Sequence, residues 1–297
     1  MNKHVIYTVI VGNIDSIHQP IDINEQFDYV LFTDKFVGWG DKIGVWQIRN
    51  IPSVIEGDNR LLSRYPKCLP TALLSEYDDS LYIDGTIQIV SPTLYQKYLE
   101  LVENNTEWAG IYHCYRDCAY QEMQAILDMH WVHDYETIGW YKKIKDDGFP
   151  KHYGLLENNI IFRRHTHNIE VIGREWWDSL RYYCKRDQFS LMYIMWKYDF
   201  KADRLLAQGE DAWHTNLFKY HTHLPHNRYL RWGILEKIRG RAYTVSPLLK
   251  IGLLEYFSKF KYPILAMNIW SIYAIIPYGP KVLKRILKRK LNKNNSL

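Results

Sequence analysis

Short apolar runs alternate with stretches of helical periodicity over the first two hundred residues of the chain. The first run, residues 4–11 (HVIYTVIV), is almost continuously apolar, which is typical of a strand buried on both faces. Further strands are predicted at residues 29–33, 45–48, 80–83, 86–90, 109–112 and 159–163. Helices are predicted at residues 59–77, 92–102, 119–131, 134–145, 174–184 and 187–198. Such alternation predicts an α/β fold, with a mostly parallel sheet and helices on both of its faces.

Charge is distributed unevenly along the 297 residues. Residues 1–227 carry 23 basic and 31 acidic side chains, whereas residues 228–297 carry 15 basic and 2 acidic ones. We therefore predict one α/β domain over residues 1–227 and a basic, partly apolar helical extension over residues 228–297. An apolar content of 47% excludes a chain that is mainly disordered. Four cysteines favour a reducing compartment over a disulfide scaffold.

The basic extension has a pattern suited to an anionic membrane surface. Residues 281–293 (KVLKRILKRKLNK) hold seven basic residues and no acid, and residues 263–277 are apolar but too short to span a bilayer, which takes about 20 residues. This pairing predicts peripheral attachment to the cytoplasmic face of a membrane. The alternative is a pair of helices packed on the body with a solvated basic face. Nucleic acid is not an expected partner, because the body of the protein is acidic.

Asp84-Gly85 follows the predicted strand at residues 80–83. Ligands of α/β sheets bind beyond the carboxyl ends of strands, and a carboxylate there can hold Mn²⁺ or Mg²⁺ against a diphosphate. Gly85 would let the backbone approach a ligand closely. The alternative is a turn that joins two strands of a hairpin, and the two interpretations are compatible.

Three basic residues, Arg60, Arg64 and Lys67, recur at helical spacing and predict a clamp for phosphate oxygens. Pro66 interrupts this helix, and a solvated basic face is the competing interpretation.

Three further segments concentrate polar chemistry. Residues 113–122 (HCYRDCAYQE) contain His113, Arg116 and Glu122, which suit contacts with substrate hydroxyl groups, although a helix N-terminus would also explain them. A structural zinc site is weakly supported, because no second cysteine pair exists. Glu157-Asn158 and Asp187-Gln188 are further candidates, with Asp187 alternatively a helix N-cap. Two or three of the clustered histidines His214, His221, His223 and His226 could serve as ligands, whereas a single histidine is more often structural.

Several well-known templates are absent from the sequence. It contains no G-x-G-x-x-G, no G-x-x-x-x-G-K-[ST], no G-x-S-x-G and no H-E-x-x-H. The sequence therefore lacks the signatures of Rossmann dinucleotide binding, P-loop chemistry, α/β-hydrolases and zinc proteases.

Taken in order, seven segments resemble one glycosyltransferase-like family: YTVIVGNID, YVLFTD, RLLSRYPKCLP, SLYIDG, HCYRDCAYQE, ENN and RDQFS. That family was first catalogued as a domain of unknown function. It has plant members tied to wall or mucilage polysaccharides and bacterial members in surface-polysaccharide loci. The resemblance spans roughly residues 4–200 and implies a GT-A type fold, in which a Rossmann-like sheet binds a nucleotide sugar.

The resemblance also implies roles for individual residues. Asp84 would stand where related enzymes carry a metal-binding Asp-x-Asp, and Asp187-Gln188 resembles a pair near the reacting sugar. Because Thr86 replaces the second carboxylate, either His214 or His221 supplies a further metal ligand, or the basic stripe replaces the metal. Residues implied to line the nucleotide pocket are Tyr7, Thr8, Gly12 and Asp15, and those implied to face the diphosphate are Arg60, Arg64 and Lys67.

The sequence therefore predicts transfer of a sugar from a nucleotide-diphosphate sugar, with UDP as the expected nucleotide, to a hydroxyl group of a surface-polysaccharide or lipid-linked glycan. The predicted catalytic residues are Asp187, Gln188 and Glu157, and the residues that orient substrate are His113, Arg116, Glu122 and Asn158. The alternative is a non-catalytic nucleotide-sugar or carbohydrate-binding protein with the same fold.

Overall fold

The structure, a computed structural model, describes residues 3–12, 14–34, 42–55, 57–128 and 134–223. The predicted basic extension, its membrane-binding segment and His226 lie outside the described residues. The chain divides into two compact units. Within the described residues, the first unit comprises residues 3–122 and 149–223, and the second comprises residues 123–128 and 134–148. The charge pattern does not predict this division.

The described residues contain ten strands and seven helices, joined by loops. The strands are β1 (His4–Ile10), β2 (Phe27–Thr33), β3 (Lys42–Ile43), β4 (Trp46–Asn50), β5 (Asp79–Asp84), β6 (Ile87–Ile89), β7 (Trp108–Tyr112), β8 (Leu156–Arg164), β9 (Asp203–Arg204) and β10 (Phe218–Tyr220). The helices are α1 (Asn59–Cys68), α2 (Pro70–Leu73), α3 (Thr93–Glu103), α4 (Ala119–Asp128), α5 (Asp134–Asp146), α6 (His167–Tyr182) and α7 (Asp187–Lys197).

Eight of these strands form a central sheet in the order β3-β4-β2-β1-β5-β8-β7-β9. The pairs β1/β2, β1/β5, β2/β4 and β7/β9 are parallel, which confirms the predicted α/β class and its mostly parallel sheet. Strand β8 is antiparallel to both of its neighbours, β5 and β7. The start of β8 therefore lies at the edge of the sheet where β1, β5 and β7 end.

The predicted strand at residues 86–90 does not pair with the strand at residues 80–83, as it would in a hairpin. Strand β6 pairs with β10 in a separate two-stranded sheet, whereas β5 pairs with β1 and β8. Asp84-Gly85 is therefore a connection between two sheets, and the hairpin alternative is wrong.

Burial explains why the first apolar run becomes the centre of the sheet. Val5, Ile6 and Tyr7 of β1 have no solvent exposure, because strands cover both sides of β1 and packed side chains cover its faces. The long helix predicted at residues 59–77 ends at Cys68, since Pro70 begins a separate helix at its first turn. In the described part of the chain, no helix has both the length and the apolar character needed to cross a membrane.

Candidate active site

Residues from four sequence motifs meet at the edge of the central sheet where β1, β5 and β7 end and β8 begins. Gly12 lies just beyond β1, Asp84 ends β5, His113 follows β7 and Glu157 lies at the start of β8. The carboxyl edge of a sheet is where α/β proteins bind their ligands.

Two glycines at this edge are needed because other parts of the chain come very close. Gly12 has a φ of +73°, and a Cβ there would lie 2.4 Å from Nδ2 of Asn59, the first residue of α1. A Cβ at Gly85 would lie 2.9 Å from a side-chain carbon of Ile10 and 3.1 Å from a carboxylate oxygen of Asp15. Gly85 therefore packs too closely against Ile10 and Asp15 for a larger residue to fit without a shift.

A buried ion cluster links α1, β5 and α7. Lys67 Nζ lies 2.6 Å from Asp187 Oδ2 and 3.4 Å from Asp84 Oδ1, and Arg64 Nε lies 3.6 Å from Asp187 Oδ2. The Tyr82 hydroxyl donates a hydrogen bond of 2.6 Å to Asp84 Oδ1. The Lys67 side chain is only 1% exposed and that of Asp187 5%, whereas Asp84 is 35% exposed and faces the outside of the cluster.

Opposite charges in the cluster keep Asp187 and Arg64 ionised. Burial would raise the pKa of Asp187, but the charges of Arg64 and Lys67 outweigh burial and hold this pKa well below its ordinary value. Burial would likewise lower the pKa of Arg64, but Asp187 and Asp84 outweigh it and raise this pKa. Asp187 and Arg64 therefore stay charged across the physiological pH range.

Asp187 does not act as the predicted helix cap. Helix α7 begins at Asp187, Arg186 occupies the N-cap position, and no side chain bonds the first turn there. The carboxylate of Asp187 instead accepts a hydrogen bond from Lys67 of α1.

The basic stripe of α1 changes in exposure along its length. Arg60 is exposed, the Arg64 side chain is 20% exposed, and Lys67 is buried. Lys67 thus bonds two carboxylates and does not reach the solvent. The family resemblance, in contrast, implies that Lys67 faces a diphosphate.

Arg163 of β8 supports the ion cluster, and it is not among the site residues that the sequence predicted. Its fully buried guanidinium donates to the backbone carbonyl of Lys67 at 2.6 Å and to the Tyr7 hydroxyl, and it lies over the ring of Trp108. Tyr7 in turn donates to the carbonyl of Pro66 at 3.2 Å. These bonds hold the end of α1 against the sheet. An arginine directly after an apolar strand was the only sequence signal for this role.

Tyr7 and Thr8 are therefore not placed on an open pocket. Both are buried within β1, and burial raises the pKa of Tyr7. Asp15 has a carboxylate that is only 7% exposed and lies 2.5 Å from Nδ1 of His223.

A second polar network joins the segment after β7 to the start of α7. Glu122 is buried and accepts hydrogen bonds from Arg116 Nε at 2.7 Å and Arg186 Nη2 at 3.4 Å. Arg186 also donates to Gln188 Oε1, and His113 Nε2 lies 3.9 Å from Glu122 Oε2. Arg186 thus connects the predicted substrate-orienting residues with a predicted catalytic one.

Glu157 has an environment that favours its neutral form. Burial raises the pKa of this carboxyl group, although Asn159 donates a hydrogen bond to its Oε2 at 3.0 Å. The neighbouring Asn158 has a φ of +59° and is 1% exposed, and its amide atoms have no hydrogen-bond partner among the described residues. Asn158 therefore lies beneath the surface of the site.

The two histidines predicted as metal ligands have other contacts. His214 Nδ1 lies 2.8 Å from Asp211 Oδ2, and His221 Nε2 lies 2.9 Å from Gln88 Oε1 while its ring stacks on His18. Of the side chains that the structure describes, the metal-capable group within 4.8 Å is a different one: His113, Cys114 and Glu157.

That group does not suit Mn²⁺ or Mg²⁺. His113 Nδ1 accepts the backbone N–H groups of Tyr115 and Arg116 at 3.1 Å, and its Nε2 faces Arg116 Nη2 at 3.1 Å. Burial and the neighbouring Asp211 raise the pKa of the Cys114 thiol, whereas a thiolate is the metal-binding form. Hard divalent cations also prefer oxygen ligands.

Comparison with family models matches residues 1–223 to the TOD1/MUCI70 glycosyltransferase-like domain. The chain belongs to this family. The resemblance seen in the sequence motifs is thereby confirmed, and the match extends to the end of the described residues.

Comparison with solved structures finds a similarity to the apo structure of WbbM, described as a bifunctional glycosyltransferase. The sequence identity is 13% and the TM-score 0.40, over 69% of this chain and 39% of that chain. The chain thus spans well under half the length of that structure. Comparison with curated proteins gives no match.

Proposed function

We propose that this domain, folded as a GT-A type glycosyltransferase, transfers a sugar from a nucleotide-diphosphate sugar, with UDP as the expected nucleotide, to a hydroxyl group of a glycan. The observation that carries the proposal is the ion cluster of Arg64, Lys67, Asp84 and Asp187 at the carboxyl edge of the sheet. Because a nucleoside diphosphate leaves with developing negative charge, preorganised cations are the main electrostatic requirement of this reaction.

The cations that would meet the diphosphate are the guanidinium groups at the open side of the cluster. Lys67 is already neutralised by Asp187 and Asp84. The pKa of Arg60 is lowered mainly by partial desolvation and, to a smaller extent, by the like charges of Arg64 and Arg186. A diphosphate bound between these three arginines would relieve their repulsion and accept bidentate hydrogen bonds.

We propose further that the reaction requires no Mn²⁺ or Mg²⁺ at Asp84. The carboxylate of Asp84 already accepts from Tyr82 and Lys67, and that of Asp187 pairs with Lys67 and Arg64. The second carboxylate of an Asp-x-Asp is replaced by Thr86. The ammonium group of Lys67 thus lies between the carboxylates of Asp84 and Asp187, where it supplies the positive charge that a metal ion would otherwise provide.

Glu157 is the proposed general base. As an acceptor hydroxyl oxygen attacks the anomeric carbon, its proton passes to the Glu157 carboxylate, and the bond from the anomeric carbon to the phosphate oxygen breaks with its electron pair on the nucleoside diphosphate. Its raised pKa makes Glu157 a stronger base than an exposed glutamate. Asp187 positions Lys67 and Arg64, while Gln188 and the residues bonded to Glu122 orient the sugar.

The proposed acceptor is a surface polysaccharide or a lipid-linked glycan at the cytoplasmic face of a membrane. This part of the proposal rests on the apolar and basic segments within residues 228–297, which lie outside the described residues.

The test is release of nucleoside diphosphate from a panel of UDP-, GDP- and CDP-sugars, with glycan acceptors, in Mn²⁺ and in EDTA. We expect release with at least one donor, undiminished by EDTA, and lost in Arg64→Met. The matched control is Arg174→Met, since Arg174 is an exposed arginine of α6 paired only at the surface with Glu170. Release that requires Mn²⁺ would overturn the metal-free part of the proposal.

A non-catalytic nucleotide-sugar-binding protein is the second candidate, and the neutralisation of Asp84 by Lys67 favours it. Binding of donors without release under every condition would establish that function.

A further inference from the structure

Trp213 forms an exposed aromatic surface beside the proposed general base. Its side chain is among the most exposed large apolar ones described, at 63%. One face of its ring stacks on Tyr220, with the ring centroids 3.7 Å apart and the planes inclined by 12°. The other face is therefore open to solvent in a fixed orientation.

The loop that carries Trp213 is held by a buried carboxylate. Asp211 Oδ1 accepts the backbone N–H groups of Trp213 and His214, both at 2.8 Å, and the Asp211 side chain is only 6% exposed. An exposed tryptophan on a loop with such bonds is preorganised for contact, which lowers the entropic cost of binding.

A short chain of contacts joins the aromatic surface to Glu157. The Tyr220 hydroxyl accepts a hydrogen bond of 2.5 Å from Asn159 Nδ2, and Asn159 Nδ2 also donates to Glu157 Oε2 at 3.0 Å. Tyr220 ends β10, and the next residue, His221, donates its backbone N–H to the carbonyl of Thr86 at 2.8 Å. The Trp213–Tyr220 pair is thus tied both to the general base and to the loop after Asp84.

We infer that the open face of Trp213 is an acceptor subsite, where a pyranose ring of the acceptor glycan stacks its C–H face and directs a hydroxyl group toward Glu157. The inference rests on the proposed transfer reaction and names the substrate class of its second site. A flat indole provides apolar contact, and the nearby carboxylate, amide and imidazole groups suit sugar hydroxyl groups.

Charge separates this subsite from the donor. The arginines Arg60 and Arg64 lie on α1, whereas the backbone of Trp213 bonds the carboxylate of Asp211 and its ring is linked to Glu157 through Tyr220 and Asn159. A diphosphate is attracted to the first group and repelled by the second. A neutral sugar has no such penalty beside carboxylates, so the electrostatics favour a neutral sugar over the diphosphate at Trp213.

The experiment uses the full chain and two binding measurements that need no turnover. Saturation-transfer difference NMR is recorded with methyl glycosides of glucose, galactose, rhamnose and N-acetylglucosamine, and titration calorimetry with UDP, GDP and CDP. We expect ring-proton signals from at least one glycoside, weakened about tenfold in Trp213→Ala and largely retained in Trp213→Phe, with nucleotide affinity unchanged. The control is Tyr182→Ala, which removes another exposed aromatic residue, at the end of α6.

The outcomes separate the two levels of the argument. The subsite is overturned if the glycoside signals persist in Trp213→Ala. It is also overturned if no glycoside gives a signal with the wild-type protein. A loss of nucleotide affinity in Trp213→Ala also overturns it and makes Trp213 a nucleobase platform. Glycosides that bind through Trp213 while no nucleotide binds support the subsite and contradict the proposed donor instead.

Discussion

Lys67 has an environment that few lysines share. Its ammonium group is buried between two carboxylates, and its backbone carbonyl accepts from the equally buried Arg163. Removing water from such charges is costly, and only complete pairing offsets that cost. The stability of the protein and the charge of the site therefore depend on the same side chains.

Asp187→Asn should destabilise the protein strongly, because the amide leaves Lys67 and Arg64 without their buried counter-charge. We expect a loss of about 3–5 kcal/mol in urea unfolding. Because the pKa of Asp187 is held below its ordinary value, its contribution is fully present above a pH of about 3.9 and is lost as the pH falls further.

The control for Asp187 is Asp58, which does cap a helix: its carboxylate accepts the backbone N–H of Leu61 at 2.9 Å. Asp58→Ala should cost about 1 kcal/mol. Equal, small losses in the two variants would show that the ion cluster does not stabilise the fold.

Glu157→Gln should lower kcat about 100-fold or more, because the amide cannot accept the proton of the acceptor hydroxyl group. Since burial raises the pKa of Glu157 above 4.5, wild-type kcat should fall as the pH drops through that raised value. The acid limb should vanish from the residual activity of the variant, whereas Glu175→Gln, at the surface of α6, should keep it. An acid limb unchanged in Glu157→Gln would assign the proton transfer to another group.

The sequence marks the charged residues of the ion cluster one by one, but not their pairing. Helical spacing marks Arg64, the end of an apolar strand marks Asp84, and the start of a helix marks Asp187. No local pattern shows that Lys67 joins the two carboxylates, or that Asp187 bonds α1 instead of its own helix. Likewise, the histidine cluster does not show that His214 pairs with Asp211, three residues earlier.

Helix α1 is positioned by close contact with α6. The position that a Cβ would take at Gly173 lies 2.4 Å from the carbonyl oxygen of Cys68, the last residue of α1. The end of α1 can approach α6 this closely only because position 173 lacks a side chain.

Gly173→Ala should therefore displace the end of α1 and with it Lys67. We expect a loss of about 1–3 kcal/mol in unfolding free energy, together with weaker nucleotide binding. The control is Asp178→Ala on the exposed face of the same helix, which should be nearly neutral. Stability unchanged in Gly173→Ala would mean that the two helices separate without cost.

The positions of the strands and helices were easier to predict than the pairing of the strands. The predicted strand at residues 4–11 differs from β1 by one residue, because its apolar run is continuous. Helix α6 begins at residue 167 rather than 174, since Thr166 accepts the backbone N–H of Ile169 and starts the helix earlier. Pairing of β6 with the distant β10 has no local signature.

Over the whole chain, the opposite net charges of residues 1–227 and 228–297 make membrane attachment a measurable property. Liposome flotation should increase with the anionic lipid fraction and decrease with salt, because each basic residue near the surface contributes about 1 kcal/mol. Deletion of residues 281–297 should abolish it, whereas Lys142→Gln with Lys143→Gln should not. Flotation that ignores lipid charge, or that survives the deletion, would contradict an electrostatic attachment.

The position of β8 has a consequence for biosynthesis. Strand β8 lies between β5 and β7 in the sheet although it follows both in the chain, so β5 has only its β1 partner, and β7 has none, until residue 164 has left the ribosome. Until then the nascent chain presents open, apolar strand edges on β5 and β7, which are sites of aggregation. Fragments that end before β8 should therefore depend on chaperones, and the glycosyltransferase-like domain gains Glu157, the part of its site that β8 carries, only when synthesis of that strand is finished.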